Sequence, residues 1–396
     1  MLKSKNIFSL IVSQVFSRTS ERLLVVGFSW YIIKNYDSDN LVKFFMLTLL
    51  PNVIIIFFSG NLINRFASLI IVRISDLLKG LIYISLSFIL FFKSNYTLDW
   101  CYLFSFFANF LSSISNPAVL TLPKQIVNEP ESQRKVLGLF NTSSSCARII
   151  GPIIAIPIYM AVDMQGLVLF SGILYFLAFV LECFIKVIPL EIKVIKDNFF
   201  STLCKPYKLF KKYKIISMLM INFFINNLLI IPIQLFLPYI VKNFFAGNMK
   251  LLSLCEAVFG IGLVIGGVYT SFFKISSKAW KRVTLPYIIF SLCYILFSFS
   301  KSEYLFIISL TLMGVFLAIG NVTSLHFFQD NVENEESAHI MSYVNFISTA
   351  SAPLAMGLVG IFSKMVNFSL LIEIYSLLSL FGCAFILLNK EYVRVR

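Results

Sequence analysis

The chain has 396 residues, of which 58% are apolar or aromatic and only 13% are charged. That charged share is about half the roughly 25% of an average soluble domain, so the chain cannot cover itself against water and needs lipid as its solvent; soluble enzymes, disordered chains, collagen-like chains and disulfide scaffolds are excluded. The net charge of +14 would suggest nucleic acid in a soluble protein, but here no nucleic-acid partner is expected, because cytoplasmic loops of membrane proteins collect Lys and Arg.

In chain order, the N-terminal run from Ile7 follows Lys3 and Lys5 as in a signal peptide. No small-residue cleavage site follows, and the run carries charges, so it is expected to be a retained first helix. Twelve apolar runs are long enough to cross a bilayer, about 20 residues each. They are predicted at 7–33, 41–63, 69–92, 97–122, 134–161, 166–189, 215–241, 251–274, 283–300, 304–328, 338–363 and 367–388. Their length favours helices over barrel strands, which need only about 10 residues. With the N-terminus cytoplasmic, the inner segments hold twenty-two Lys and Arg and the outer loops seven. That bias places both termini in the cytoplasm.

The longest loop, 190–214, carries seven Lys. It divides the chain into a six-helix half at 1–189, a basic cytoplasmic linker, and a second half at 215–396. An internal comparison offset by 205 residues supports a duplication. Asn116 then matches Asn321, Val127 matches Val332, Glu131-Ser132 matches Glu336-Ser337, and Arg134 falls on His339. After a small gap, Gly151-Pro152 resembles Ala352-Pro353. Parallel repeats related by a pseudo-two-fold axis along the membrane normal are one carrier architecture.

Charge within a span is a functional signal by default. The sharpest case is Ser17-Arg18-Thr19-Ser20-Glu21-Arg22 in the first span, where Arg18 and Glu21 are spaced to meet on one face. A purely structural reading, a charge pair stapling this helix to a neighbour, has two charges to use; the cluster has three. Arg148 in the fifth span and Glu256 in the eighth lie at similar depths, so a structural ion pair and a substrate or proton role both stand. Arg73, Asp76 and Lys79 form a stripe near the inner end of the third span, read as support for a gate. Glu182 and Lys186 read as an ordinary i, i+4 pair, and Glu373 as a headgroup-level residue. Uncharged candidates are Asn116 beside Pro117; Asn222, Asn226, Asn227 and Gln234 with Pro232 and Pro238; and Asn321, Thr323 and His326. Such groups in lipid need partners, so interhelical bonding and cavity lining are equally open for them.

Several absences bear on function. No G-x-x-x-x-G-K-[ST] loop occurs, so the chain itself is not expected to use ATP. No H-E-x-x-H or G-x-S-x-G set occurs, and the seven Cys are scattered without metal spacing. No cofactor, no metal and no enzymatic activity are expected; a gradient-driven carrier remains.

Four motifs carry a family resemblance. Gly60-Asn61-Leu62-Ile63-Asn64-Arg65 lies in the loop after the second span, and Ser75-Asp76-Leu77-Leu78-Lys79 opens the third. Gly138 is followed by Ala147-x-x-x-Gly151-Pro152-x-x-Ala155, and Glu256 precedes Gly260-x-Gly262 and Gly266-Gly267. Over its whole length the sequence resembles the major facilitator superfamily, and most the branch of macrolide-efflux, enterobactin-export and lysophospholipid transporters. It departs from the family loop in having Asn64 where an aspartate is usual, and Ser68, Leu69 and Ile70 where basic residues follow. Ala147, Ala155 and Ile156 replace glycines of the antiporter motif. The resemblance implies a monomeric carrier in a bacterial inner membrane, with the first, fourth, seventh and tenth helices lining a central cavity. It also implies export of a small organic solute, an amphipathic drug or a siderophore-like metabolite, driven by protons; a lysophospholipid or anionic-metabolite carrier and an importer are the alternatives. Among Arg18, Glu21, Arg22, Arg148 and Glu256 the net charge is +1, which suits an anionic solute slightly better. A reporter active only outside the cytoplasm should work when fused at Lys301 and be silent at Lys205; the reverse pattern would invert the orientation.

Overall fold

The computed structural model describes residues 2–56, 67–92, 96–126, 130–185, 212–272, 279–332, 334–385 and 387. Among them every regular element is a helix. In lipid the backbone has no water to bond with, and a helix satisfies its N–H and C=O groups internally. The helices are α1 (Leu2–Asn35), α2 (Ser38–Ile56), α3 (Ser68–Phe91), α4 (Thr97–Ile126), α5 (Pro130–Cys183) and α6 (Lys214–Ile230). They continue with α7 (Ile233–Asn243), α8 (Met249–Phe272), α9 (Ala279–Phe299), α10 (Glu303–Asp330), α11 (Asn334–Phe362) and α12 (Phe368–Phe385). Seven of the described helical stretches are long and apolar enough to cross a membrane on length and composition. The chain is therefore an all-α integral membrane protein, consistent with twelve spans. α1 also has the length, but Arg18, Glu21 and Arg22 interrupt its apolar run.

Two predicted spans, 134–161 and 166–189, run together in α5. The join is Val162–Asp163, where Asp163 takes φ 52° and ψ −160°, a conformation that glycine adopts far more readily than aspartate. The chain reverses here, and α1 reports the reversal. The first arm places Gly151 against Arg22 and Tyr159 under Lys34, running parallel to α1. The second arm places Leu167 against Gly27, and Ser171 accepts a hydrogen bond from Ser20, running antiparallel. The predicted span 215–241 is broken the other way: Pro232 has no N–H to offer, and α6 ends before it while α7 begins after it.

The chain divides into two compact units. The first is Met1–Ile195 with Asn248–Ala257, and the second is Lys196–Gly247 with Val258–Arg396. The expected linker 190–214 lies outside the described residues except for 212–214. Each unit has an apolar core at one end of its helices. In the first unit Leu10, Leu69, Val72, Ala118, Leu122, Val136 and Phe140 join α1, α3, α4 and α5. In the second, Ile216, Leu219, Val283, Phe327, Phe328, Ile340 and Val344 join α6, α9, α10 and α11. Counted as spans these are the first, third, fourth and fifth in the first unit, and the seventh, ninth, tenth and eleventh in the second.

Lipid supplies no hydrophobic drive between helices, so small residues matter where backbones approach. Gly80 on α3 faces Gly172 on α5, and a Cβ on either would sit 3.2 or 3.1 Å from the other's carbonyl oxygen. In the second unit Gly262 on α8 crosses Gly314 on α10, where an added Cβ would run into backbone on both sides. Gly267, by contrast, has open space around it. Gly262→Ala and Gly314→Ala should each lower thermal stability in detergent by about 1–3 kcal/mol of overpacking. Gly267→Ala should be neutral or raise stability, since Ala is the better helix former.

Candidate functional site

The polar cluster of α1 forms as its spacing predicts. Arg18 Nη1 donates to Glu21 Oε2 at 3.2 Å, and the two side chains remain 25% and 34% exposed. The pair is therefore open on one side rather than sealed. Arg22 sits one turn further on, against α5. A Cβ on Gly151 would lie 2.7 Å from the Arg22 Cβ and 3.3 Å from both Leu23 N and Thr19 O. The absence of a side chain at Gly151 is what lets α5 approach Arg22 so closely. Ala147 and Ala155, one turn to either side, are fully buried. The antiporter-like motif is thus a stripe of small residues packed against the charged stretch of α1, with Pro152 buried beside it.

Arg148 lies within that stripe and is partly buried. Of the charges around it, Arg22 acts most strongly, followed by Glu21, Glu256 and Arg18. Glu256 belongs to the short segment 248–257 that clusters with the first unit, and Arg22 and Arg148 are the charges nearest to it. Among the described residues Arg18–Glu21 is the sole ion pair within 4 Å in this set. Arg148 and Glu256 influence one another without forming the contact that a structural staple would need. Arg22 and Arg148 each act on the other's charge, and neither makes an ion pair among the described residues. Their planar forks suit carboxylate and phosphate oxygens.

The α3 stripe is more buried than its spacing suggested. Arg73 caps the end of α5: its Nε donates to the Glu182 carbonyl at 2.9 Å and its Nη2 to the Ile185 carbonyl at 2.7 Å. A helix end leaves such carbonyls without intrahelical donors. Lys79 Nζ donates to Asp76 Oδ1 at 3.1 Å and to Ser115 Oγ at 3.3 Å, and it stands 5.2 Å from the Tyr175 ring centre. Glu182, read from sequence as an ordinary surface-side partner of Lys186, is fully buried; Lys186 lies outside the described residues. Gln14 on α1 donates to Glu182 Oε1 at 3.5 Å. Gln14 and Glu182 were legible as polar interruptions of apolar runs, but nothing in their spacing joins residues 168 positions apart.

In the second unit the amides bond helices together. Asn222 Nδ2 donates to the Gly382 carbonyl on α12 at 2.8 Å, and Asn226 Nδ2 donates to Asn222 Oδ1 at 2.7 Å. Cys383 Sγ donates in turn to Asn226 Oδ1 at 3.2 Å. Asn227 turns back to the Phe223 carbonyl within α6. Tyr287 on α9 donates to Asn321 Oδ1 on α10 at 2.9 Å, with its ring lying over Gly320. Thr323 bonds within α10. Asn116 is partly buried, while Gln234 and His326 are exposed, as is Gly138. Gly60, Asn64 and Arg65 lie outside the described residues.

Membrane-spanning helices, two units with matching cores, and charges held mid-helix define a membrane carrier. Residues 10–356 match the Major Facilitator Superfamily, and the chain belongs to that family. Solved structures share the fold. The nucleoside transporter NupG is 11% identical, with a TM-score of 0.75 over 97% of this chain and 98% of its own. The D-xylose–proton symporter is 9% identical, with a TM-score of 0.75 over 98% of each chain. A bacterial homolog of the human lysosomal transporter Spinster, inward-facing and unoccupied, is 11% identical, with a TM-score of 0.69 over 99% of this chain and 96% of its own. No curated protein sequence matches the chain. The comparisons carry the family; they do not carry the efflux, siderophore or lysophospholipid branch suggested by the motifs.

The cap made by Arg73 gives a direct test. Arg73→Ala should cost about 1–3 kcal/mol, the range for losing hydrogen bonds from a charged donor, read as a lower melting temperature of the purified protein. Arg73→Lys should recover only part of it, because an ammonium lacks the planar fork that reaches the Glu182 and Ile185 carbonyls from separate nitrogens.

Proposed function

We propose that this major facilitator carrier exports a small organic solute bearing a carboxylate or phosphate, by alternating access coupled to a proton gradient. The observation that carries the reading is that Arg22 and Arg148, which act on one another near the half-open Arg18–Glu21 pair, have no ion pair of their own among the described residues. Burying an uncompensated charge costs several kcal/mol, and an anionic solute offsets it when bound. Export and proton drive rest on the motif resemblance: the small-residue stripe around Gly151-Pro152 stands where antiporters of the family have theirs. Glu21 is the first candidate for the coupling acid, since it already shares a guanidinium with the solute site, and Glu256 is the second. A bacterial inner membrane, cytoplasmic termini, two repeat-related six-helix halves and a monomeric carrier belong to the same reading. In the second unit Asn321 stays a candidate for solute contact, along with Gln234 and His326, whereas the bonding of Asn222 and Asn226 supports a packing role.

Binding on purified, monodisperse protein tests the solute's sign, with short-chain carboxylates, inorganic phosphate and lysophosphatidic acid as probes. Arg22→Ala should weaken binding of the best anion about tenfold or more, and Arg18→Lys should weaken it less although the charge is kept. Unchanged affinity in both would remove the anionic reading and favour an amphipathic drug. Glu21→Gln should abolish proton-driven transport in everted vesicles while expression holds; unchanged transport would leave Glu21 as a structural partner of Arg18.

A further inference from the structure

The first unit contains a second charged cluster that the solute site does not use. It lies where α1, α3, α4 and the C-terminal half of the second arm of α5 meet. Asp76, Lys79 and Glu182 are 1%, 3% and 0% exposed, so all three are sealed from solvent within the protein. Lys79 is committed to Asp76 Oδ1 at 3.1 Å, and its remaining donors face Ser115 and the Tyr175 ring. Glu182 has no ion pair among the described residues; it receives only the long bond from Gln14. Glu182 Oε2 and Asp76 Oδ2 each lack a hydrogen-bond partner among the described residues.

Of the other groups facing Glu182, Ser13 on α1 also bonds to the Leu10 carbonyl. Arg73 on α3 adds a positive charge nearby, but its nitrogens are directed to the carbonyls of Glu182, Cys183 and Ile185 and make no ion pair with the carboxylate. Further along, Lys79 also feels Glu21 of the solute site. A fully buried carboxylate with no ion pair and one oxygen without a hydrogen-bond partner stays ionised only at a heavy desolvation cost, and binding one proton removes it.

We infer that Asp76, Lys79 and Glu182 form a proton-binding site, distinct from the solute site, in which the two carboxylates share one proton and Glu182 carries it while Lys79 pairs with Asp76. The step balances simply: a proton from water bonds to Glu182 Oε2, and the cluster goes from net −1 to neutral. Gln14 ties Glu182 to the helix that bears Arg18, Glu21 and Arg22, and Lys79 is in the field of Glu21. Occupancy of the site is therefore linked to the packing and charge of α1.

Infrared difference spectroscopy of the purified full-length protein at neutral pH reads this directly, because a protonated carboxyl has a C=O stretch that a carboxylate lacks. Wild type minus Glu182→Gln should contain one such band, shifted by deuteration. Wild type minus Asp76→Asn should contain it too, because without Asp76 the Glu182 carboxylate becomes the counter-ion of Lys79 and gives up its proton. Lys79→Met should add a band, since neither carboxylate then has a cation. A flat difference for Glu182→Gln overturns the site. A band that persists in Asp76→Asn overturns the sharing. Size exclusion and melting of each variant verify that the fold is intact, and Glu182→Gln, a neutral isostere, should melt close to wild type. The solute reading is judged separately by anion binding, which Glu182→Gln should leave within about threefold.

Discussion

Each charge inside a lipid-embedded helix must find a partner within the protein, and that demand organises this molecule more than hydrophobicity does. Apolar side chains are as content with lipid as with one another, so they give the helices no instruction about neighbours. Arg18 is held by Glu21, Lys79 by Asp76, and Arg73 by the carbonyls at the end of α5. Each of these contacts fixes the geometry of a polar group. Those of Arg73 also lock α3 to α5, and the Lys79–Ser115 bond joins α3 to α4.

The second determinant is the placement of residues too small to keep helices apart. Gly151 brings α5 onto α1 at Arg22, Gly80 and Gly172 bring α3 onto α5, and Gly262 and Gly314 join α8 to α10. These positions explain how an antiporter-like motif tolerates alanine at 147 and 155. Both are fully buried against a neighbour, and what the site requires is a missing bulk at 151, with the rest of the stripe merely narrow. The motif therefore works by shape, and it positions Arg22 and Arg148 as a by-product of helix approach.

Much of the fold was legible because its signal is one-dimensional. A run of about 20 apolar residues becomes a helix whatever its neighbours, although the span expected at 215–241 is broken at Pro232 into α6 and α7. The reversal at Val162–Asp163 was legible as a short gap between two runs, though the backbone conformation of Asp163 at the joint was not. The Arg18–Glu21 pair followed from spacing within one helix. The pairings across helices did not. Glu182 looked like an ordinary partner of Lys186, yet its contact is Gln14, 168 residues away. Arg73 looked like part of a gate stripe, yet its acceptors are carbonyls at the end of α5. Nor could the sequence show that Asn222 reaches the carbonyl of Gly382 and Asn226 the thiol of Cys383, since neither partner position stands out in the chain.

The break at Pro232 has a further consequence. The carbonyl of Leu228 is the one whose helical donor Pro232 cannot supply, and it lies partway along a span. A peptide oxygen at that depth has to be served by water, by a neighbouring side chain or by a locally tightened turn. Straightening the helix cannot help, because the missing hydrogen does not exist in any geometry. The α6–α7 joint is thus the place in this span where the backbone already lacks one of its helical bonds, and where a bend costs the least.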